Sequence, residues 1–236
     1  MKYIPSDKVK TEKLDYRGIK VMAPWVLLDG TLAKCLEKYF SGKKSEAALD
    51  IGCGGGAAFQ AFAPYFNRFY GIDLVNYLNK EFIAQVSFSS VDLNFERLPY
   101  ADGSLDLVTA FQVLEHLENP FFVMREVWRA LKPGGIFMFS VPNPFQLTFR
   151  LKFLLTGNMP PWTEANDHLL FLTRAVFKKT YLANFYLLET IYQRGDVPFF
   201  GRLRAIFGKR LIPAHLMILP RSEFFGRRVC FVLRKR

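Results

Sequence analysis

Residues 48–57 read ALDIGCGGGA: an apolar run holding one acid, then four glycines and a cysteine in five positions. A strand that runs straight into G-x-G-x-G gives up side chains where a backbone must pass close to a ligand. The helix that follows offers its free N–H groups to the same ligand. A nucleotide-like group fits such a loop. Gly52, Gly54 and Ala57 also satisfy G-x-G-x-x-A, and Asp73 follows Gly52 by 21 residues, so the glycine spacing alone leaves a dinucleotide open.

The surroundings agree with a strand-loop-helix unit. Short apolar runs alternate with amphipathic stretches from about residue 22 to 142, the pattern of a parallel sheet with crossover helices. Strands are expected at about 47–51, 68–72, 86–91, 105–111 and 135–141. Between the last two, Asn119 can cap a helix, Pro120 suits its first turn, and Lys132-Pro133-Gly134-Gly135 stops it. A further helix is expected at about 173–183. FYLLETIYQRG and RRVCFVLRKR then read as two more strands, antiparallel to one another and separated by an insertion of about thirty residues. The segment FQLTFRLKFLLTGNMPPW is apolar almost all round, so it is either a buried insertion or a surface that lies on something greasy.

The chain's 236 residues, half of them hydrophobic, can fill one large core, and a single domain over 1–236 is expected. A secretory leader and an 18-residue apolar run are both missing from the sequence, so neither secretion nor a membrane span is expected. Cys35, Cys53 and Cys230 are odd in number and lack paired spacing, which points to a reducing cytoplasm and no metal. The formal charge of +11 is concentrated at one end: from Gly201 to Arg236 ten Lys or Arg face one acid, Glu223.

Two acids bear on the ligand. Asp50 lies inside the first strand, two residues before Gly52, where a dinucleotide loop has no use for a buried carboxylate. It suits a cationic amine. Asp92, at the end of the third strand, is placed to accept from an adenine amino group. A cofactor with an ammonium, a ribose and an adenine would use Asp50, Asp73 and Asp92 together.

At this point LDIGCGGG, YGIDL, VDLNFERLPYADGSLDLV, FQVLEHLENP and LKPGGIFMFSVPNP together resemble the successive motifs of class I S-adenosylmethionine-dependent methyltransferases, in that family's order. The similarity is greatest to the small-molecule branch that includes ubiquinone, menaquinone and polysaccharide methyltransferases. The fold this implies is α/β, a doubly wound seven-stranded Rossmann-like sheet, mostly parallel with an antiparallel C-terminal strand. A helical lid at 22–40 and acceptor-side insertions at 145–172 and 195–226 would complete it. The resemblance implies S-adenosyl-L-methionine as cofactor and S-adenosyl-L-homocysteine as product. By the same resemblance Asp50, Gly52, Cys53, Gly54 and Gly56 meet the methionine end, Asp73 binds the ribose hydroxyls, and Leu74 packs on the adenine. Asp92 and Leu93 meet the adenine edge, and Phe111 and Gln112 close over the sulfonium. Cys53 is small rather than reactive.

Methyl transfer from a sulfonium is an in-line displacement, which asks chiefly for alignment and exclusion of water. A hydroxyl acceptor also asks for a proton taker, most often a histidine. His168, in PWTEANDHLLFLT, follows the fifth strand and is the candidate catalytic base, with Trp162, Asn166 and Asp167 as neighbours. Glu115 and His116 in VLEHL read first as capping and packing residues, and His215 as a packed one. FQVLEH stands where a base-modifying enzyme of this fold carries an Asn/Asp-Pro-Pro-aromatic turn, so nucleic acid is disfavoured. A metal-dependent catechol site would want more acids than Glu115, and protein arginine methylation would want a pair of loop glutamates that is absent from the sequence. Wound as a helix, Phe199, Phe200, Leu203, Ile206, Phe207 and Leu211 share one face bordered by Arg202, Arg204 and Lys209. Such a face over 199–219 either packs on the core or lies on the inner, anionic face of a membrane. The expectation is O-methylation of a small or lipid-linked acceptor. The alternatives are a nicotinamide oxidoreductase and a non-catalytic, membrane-associated binder of the same cofactor.

Overall fold

Asp106 anchors the strand that leads into the glycine loop. In a computed structural model that describes residues 24–163, 167–196 and 218–236, its Oδ2 accepts the N–H groups of Glu46 at 3.0 Å and Ala47 at 2.9 Å, and Lys132 neutralises the same carboxylate at 2.8 Å. The first strand, β1 (Ser45–Ile51), is thereby anchored at its entry. By its own packing the chain divides into two compact units, Met1–Ala110 with Phe122–Gly135, and Phe111–Phe121 with Ile136–Arg236.

In the first unit α1 (Trp25–Leu28) and α2 (Thr31–Phe40) precede β1, and the Asp29 carboxylate accepts the Thr31 N–H at 3.0 Å. The expected 22–40 segment is thus helical over its described part, with Trp25, Val26, Leu32 and Leu36 buried. After β1 come α3 (Ala57–Phe62), β2 (Phe66–Asp73), α4 (Lys80–Ile83), β3 (Val86–Ser90) and β4 (Leu105–Phe111). β1 runs parallel to both β2 and β4, placing Asp50 opposite Gly71 on one side and Thr109 on the other. Leu49, Ile51, Phe59, Phe62, Phe66 and Ile72 are fully buried. Each contributes on the order of 1.5–3 kcal/mol by leaving water.

A helix α5 (Pro120–Ala130) begins at its proline and stops ahead of the Lys-Pro-Gly-Gly turn, as the sequence predicts. The strand that follows, β5 (Leu131–Pro142), starts four residues earlier than expected. Gly134, at φ 76°, supplies a left-handed kink inside a segment that stays extended on either side.

In the second unit α6 (Leu147–Thr156), α7 (Arg174–Asn184) and β6 (Phe185–Tyr192) follow, then the short β7 (Gly195–Asp196) and β8 (Ile218–Leu219), and finally β9 (Arg228–Lys235). Thr173 caps α7 through the Val176 N–H at 3.2 Å. β9 inserts antiparallel between β5 and β6, setting Ser140 opposite Cys230 and Ile191 opposite the same residue on the other side. Stacked aromatics fill this core: Phe139 on Tyr181 at 5.0 Å and Phe177 on Phe231 at 4.4 Å between ring centres. The seven long strands follow one order, β3-β2-β1-β4-β5-β9-β6, the mostly parallel α/β sheet with one antiparallel strand that the sequence reading anticipates.

The apolar 145–156 segment resolves the choice left open by its composition. In α6 only Phe149 is buried, while Leu154 and Leu155 are 79% and 81% exposed. It is a greasy surface, not a buried insertion. Among the described residues no helix is long and apolar enough to cross a membrane. The aromatic face of Phe199–Leu211, His215 and Asn166 lie outside the described residues.

Candidate active site

The glycine loop is built by backbone geometry. The N–H groups of Gly52 and Cys53 both donate to the Ile72 carbonyl, at 2.7 and 3.1 Å, which ties the end of β1 to the end of β2. Gly52, Gly54 and Gly56 take φ values of 67°, 48° and 88°, a region that costs an ordinary L-residue about 1–2 kcal/mol. At Gly56 crowding adds to conformation, since a Cβ there would stand 2.8 Å from the Phe82 ring. Cys53 is confined similarly: a Cβ on Gly71 would meet its Sγ at 2.9 Å. Burial, with Asp50 and Asp73 nearby, pushes the Cys53 thiol up and keeps it protonated.

The acids divide by environment. Asp50 is buried and accepts a hydrogen bond from Thr109 Oγ1 at 2.5 Å; desolvation lifts its pKa to about 7, with the Thr109 bond working against that and Asp73 adding to it. Asp73 is raised by burial too, opposed by the N–H groups of Gly54 at 3.0 Å and Leu74 at 2.8 Å that its carboxylate accepts. Just beyond it Leu74 and Val75 stay 40% and 45% exposed, an apolar step at the strand end. Asp92 spends one oxygen on the Asn94 N–H at 3.0 Å, closing a turn, and Leu93 is buried beside it.

In the second unit Phe111 is buried, and Gln112 holds φ 59°, which among the described residues no other non-glycine residue shares in sign. Its N–H donates to the Ser140 carbonyl at 3.0 Å. Strain of this kind, about 1–3 kcal/mol, collects at functional positions. The sequence carries no signal for it.

A 3₁₀ turn at Leu114–His116 comes next, and its Glu115 carbonyl accepts the N–H groups of Leu169 at 2.6 Å and Leu170 at 3.2 Å. Those two bonds bring His168 back beside residues fifty positions earlier. The His116 and His168 rings meet edge to face at 4.8 Å, and Trp162 stands 6.5 Å from His168 with its indole N–H on the Leu170 carbonyl. Nδ1 of His116 lies 3.1 Å from Oδ1 of Asp167, close enough to pair charges though short of hydrogen-bond geometry. Burial works against the His116 cation, but Asp167 and Glu115 outweigh it and the pKa rises; the same contact to His116 holds Asp167 down at about 2. His168 moves the other way, lowered by burial and by His116. Glu115 is fully buried, and desolvation lifts its carboxyl to about 7. Ligand atoms of Glu115, His116 and His168 all lie within 4.8 Å of one another. The sequence reading expects no metal and sets Glu115 and His116 aside as packing residues; the tether from the Glu115 carbonyl is what it lacks.

Residues 49–139 match the sequence profile of the family described as a methyltransferase domain. Residues 49–139 thus resemble a methyltransferase domain, and the comparisons support the class I S-adenosylmethionine-dependent kind. It is similar to a probable S-adenosylmethionine-dependent methyltransferase of Mycolicibacterium smegmatis, 36% identical over 106 residues, which are 43% of this chain and 39% of that protein. It is also similar to the ubiquinone biosynthesis O-methyltransferase of Idiomarina loihiensis, 27% identical over 56% of this chain and 57% of that one. The chain therefore spans about half the length, or less, of these curated relatives. A solved S-adenosylmethionine-dependent methyltransferase from Archaeoglobus fulgidus shares the fold, with a TM-score of 0.59, 18% identity, and 95% of this chain and 97% of that one covered. The dinucleotide alternative left open by the glycine spacing falls away. The methyltransferase cofactor is S-adenosylmethionine, and the residues present suit it: a buried carboxylate for an ammonium, a half-buried one for a diol, and an exposed apolar step for a base.

Proposed function

We propose that this chain transfers the methyl group of S-adenosylmethionine to a hydroxyl oxygen of a small or lipid-linked acceptor, the whole of 1–236 serving as one methyltransferase domain. The observation that carries the oxygen assignment is the Glu115–His116–His168 cluster, a buried glutamate with two half-buried histidines, and Asp167 at its rim. A neutral amine already presents a lone pair to the methyl group, so alignment is its chief need. A hydroxyl must also lose a proton, and a histidine with its pKa lowered by burial is suited to that task. We assign His168 to the acceptor. The Idiomarina relative is named as an O-methyltransferase, which supports the same atom.

For the cofactor, Asp50 takes the methionine ammonium and Asp73 the ribose hydroxyls. The backbone of Gly52, Cys53, Gly54 and Gly56 lines the methionine end, Leu74 lies under the adenine with Asp92 and Leu93 at its edge, and Phe111 and Gln112 serve the sulfonium. A lipid-linked acceptor is favoured by α6, whose exposed Leu151, Phe153, Leu154 and Leu155 flank Lys152. Through that surface the chain would associate peripherally with an anionic membrane from the cytoplasmic side.

The test is calorimetric titration with S-adenosylmethionine, S-adenosylhomocysteine and NADH, followed by transfer of labelled methyl to a panel of phenols, quinols, sugars and amines. Binding of the adenosyl pair alone and label on a hydroxyl would support the reading. Label on amines alone would overturn the oxygen assignment, and failure to bind the adenosyl pair would overturn the whole.

A further inference from the structure

Three side chains in the second unit form a constellation that the proton-transfer reading does not fully use. Glu115 is fully buried, and neither of its carboxylate oxygens has a hydrogen-bond partner among the described residues. Buried carboxylates are ordinarily satisfied, because an unpaired one costs several kcal/mol, so an orphaned pair of oxygens points to a cationic ligand. Two imidazoles face the same spot: one ligand atom from each of Glu115, His116 and His168 lies within 4.8 Å of the others.

We propose that Glu115, His116 and His168 bind one divalent transition-metal cation of the zinc class. The donor set decides the class. Two imidazoles and one carboxylate suit zinc and its neighbours, whereas magnesium and calcium prefer oxygen alone. Bonds of about 2.0–2.2 Å would draw the three atoms somewhat closer than they stand.

The surroundings are those of ligating histidines. A metal-bound imidazole turns its second nitrogen to a carboxylate or a backbone carbonyl, which fixes ring and tautomer. His116 has its Nδ1 3.1 Å from Asp167, leaving Nε2 for the ion. The His168 ring is held by the Pro161 carbonyl. Arg228 is the nearby competing cation; it acts on Glu115 through its field, and among the described residues no ion pair joins them. Three protein ligands leave positions open, as in catalytic rather than structural metal sites.

This deepens the function proposed above, on which the use of the ion rests but not its binding. An acceptor hydroxyl on an open position would give up its proton to water, because the cation stabilises the oxyanion. The C–S bond of the sulfonium then breaks as the C–O bond forms, leaving a neutral thioether and a methyl ether. His168 serves the acceptor in this state as a ligand.

The full chain, free of any affinity tag and stripped with a chelator, is titrated with Zn²⁺ by calorimetry and with Co²⁺ by visible absorption. The expected result is one equivalent of either ion, d–d bands from Co²⁺, and at least tenfold weaker binding by Glu115→Gln and by His168→Ala. Asp167→Asn should weaken binding tenfold or more while leaving the stoichiometry at one. Thermal melting and S-adenosylhomocysteine affinity of each variant check that it is folded. Absence of stoichiometric binding by the wild type, or wild-type binding by folded Glu115→Gln and His168→Ala, overturns the site. Metal binding without adenosyl binding would sink the methyltransferase reading alone. Methyl transfer undiminished in chelator would overturn the ion's catalytic use.

Discussion

The glycine loop of the first unit and the histidine cluster of the second are assembled by opposite means. The loop is contiguous, and its shape comes chiefly from backbone, with alternate glycines at positive φ and two N–H groups on one carbonyl, while one distant side chain, Asp73, accepts the Gly54 N–H. The cluster is discontinuous and consists of side chains, joined because the Glu115 carbonyl catches the 169–170 backbone. A backbone site is indifferent to most side-chain changes outside its glycines. A side-chain cluster is sensitive to every member, and a cofactor common to many enzymes belongs on the first kind while an acceptor specific to one belongs on the second.

That contrast makes separable demands. The largest effect is expected from His168→Ala, which should lower turnover by about 10²–10⁴ with cofactor affinity unchanged by calorimetry; parallel losses in both would mean that the cluster holds the fold rather than the acceptor. Asp73→Ala should do the reverse, weakening cofactor binding by about 1–3 kcal/mol, with thermal melting to register the separate cost of the Gly54 and Leu74 N–H groups losing their acceptor. Unchanged affinity would remove Asp73 from the ribose.

Acidity gives a finer probe of the loop. Asp50, with its pKa raised to about 7, is neutral in the free protein at pH 5.5 and must ionise to pair with an ammonium. Cofactor affinity should therefore climb by up to about tenfold per pH unit and level off above 7, with a proton released on binding below that pH. A flat profile would deny Asp50 the ammonium. The same raised pKa means that the native state holds a proton the unfolded chain has lost, so the ligand-free fold should lose stability as pH rises from near 3.8 to about 7. The smallest effect is expected at the surface: Leu154→Ser with Leu155→Ser should reduce sedimentation with anionic liposomes and leave adenosyl binding untouched. Absence of sedimentation by the wild type at low salt would end the membrane reading.

What was legible in the sequence follows the same division. β4 is bounded as expected at Leu105 and Phe111, and α5 begins at its proline, because local propensity and capping chemistry decide both. The loop is readable because its glycines report a backbone requirement at the positions where it acts. Gln112 is unreadable, since a strained non-glycine residue is held by Ser140, 28 positions away, and nothing at position 112 announces it. Glu115 misleads for a related reason: its carbonyl, not its carboxylate, gathers the cluster, and every residue has a carbonyl. The apolar α6 resisted assignment because burial in protein and contact with a greasy surface ask for the same side chains.

The placement of β9 has a consequence for the order of assembly. β6 forms its ladder on β9, and β9 forms its other ladder on β5. During synthesis β6 emerges with its eventual neighbour still unmade, and the aromatic side of this layer waits on residues 228–235. Closure of the second unit is then a late, long-range event, and a nascent chain stalled before Arg228 would present two unpaired strand edges to whatever else is folding nearby.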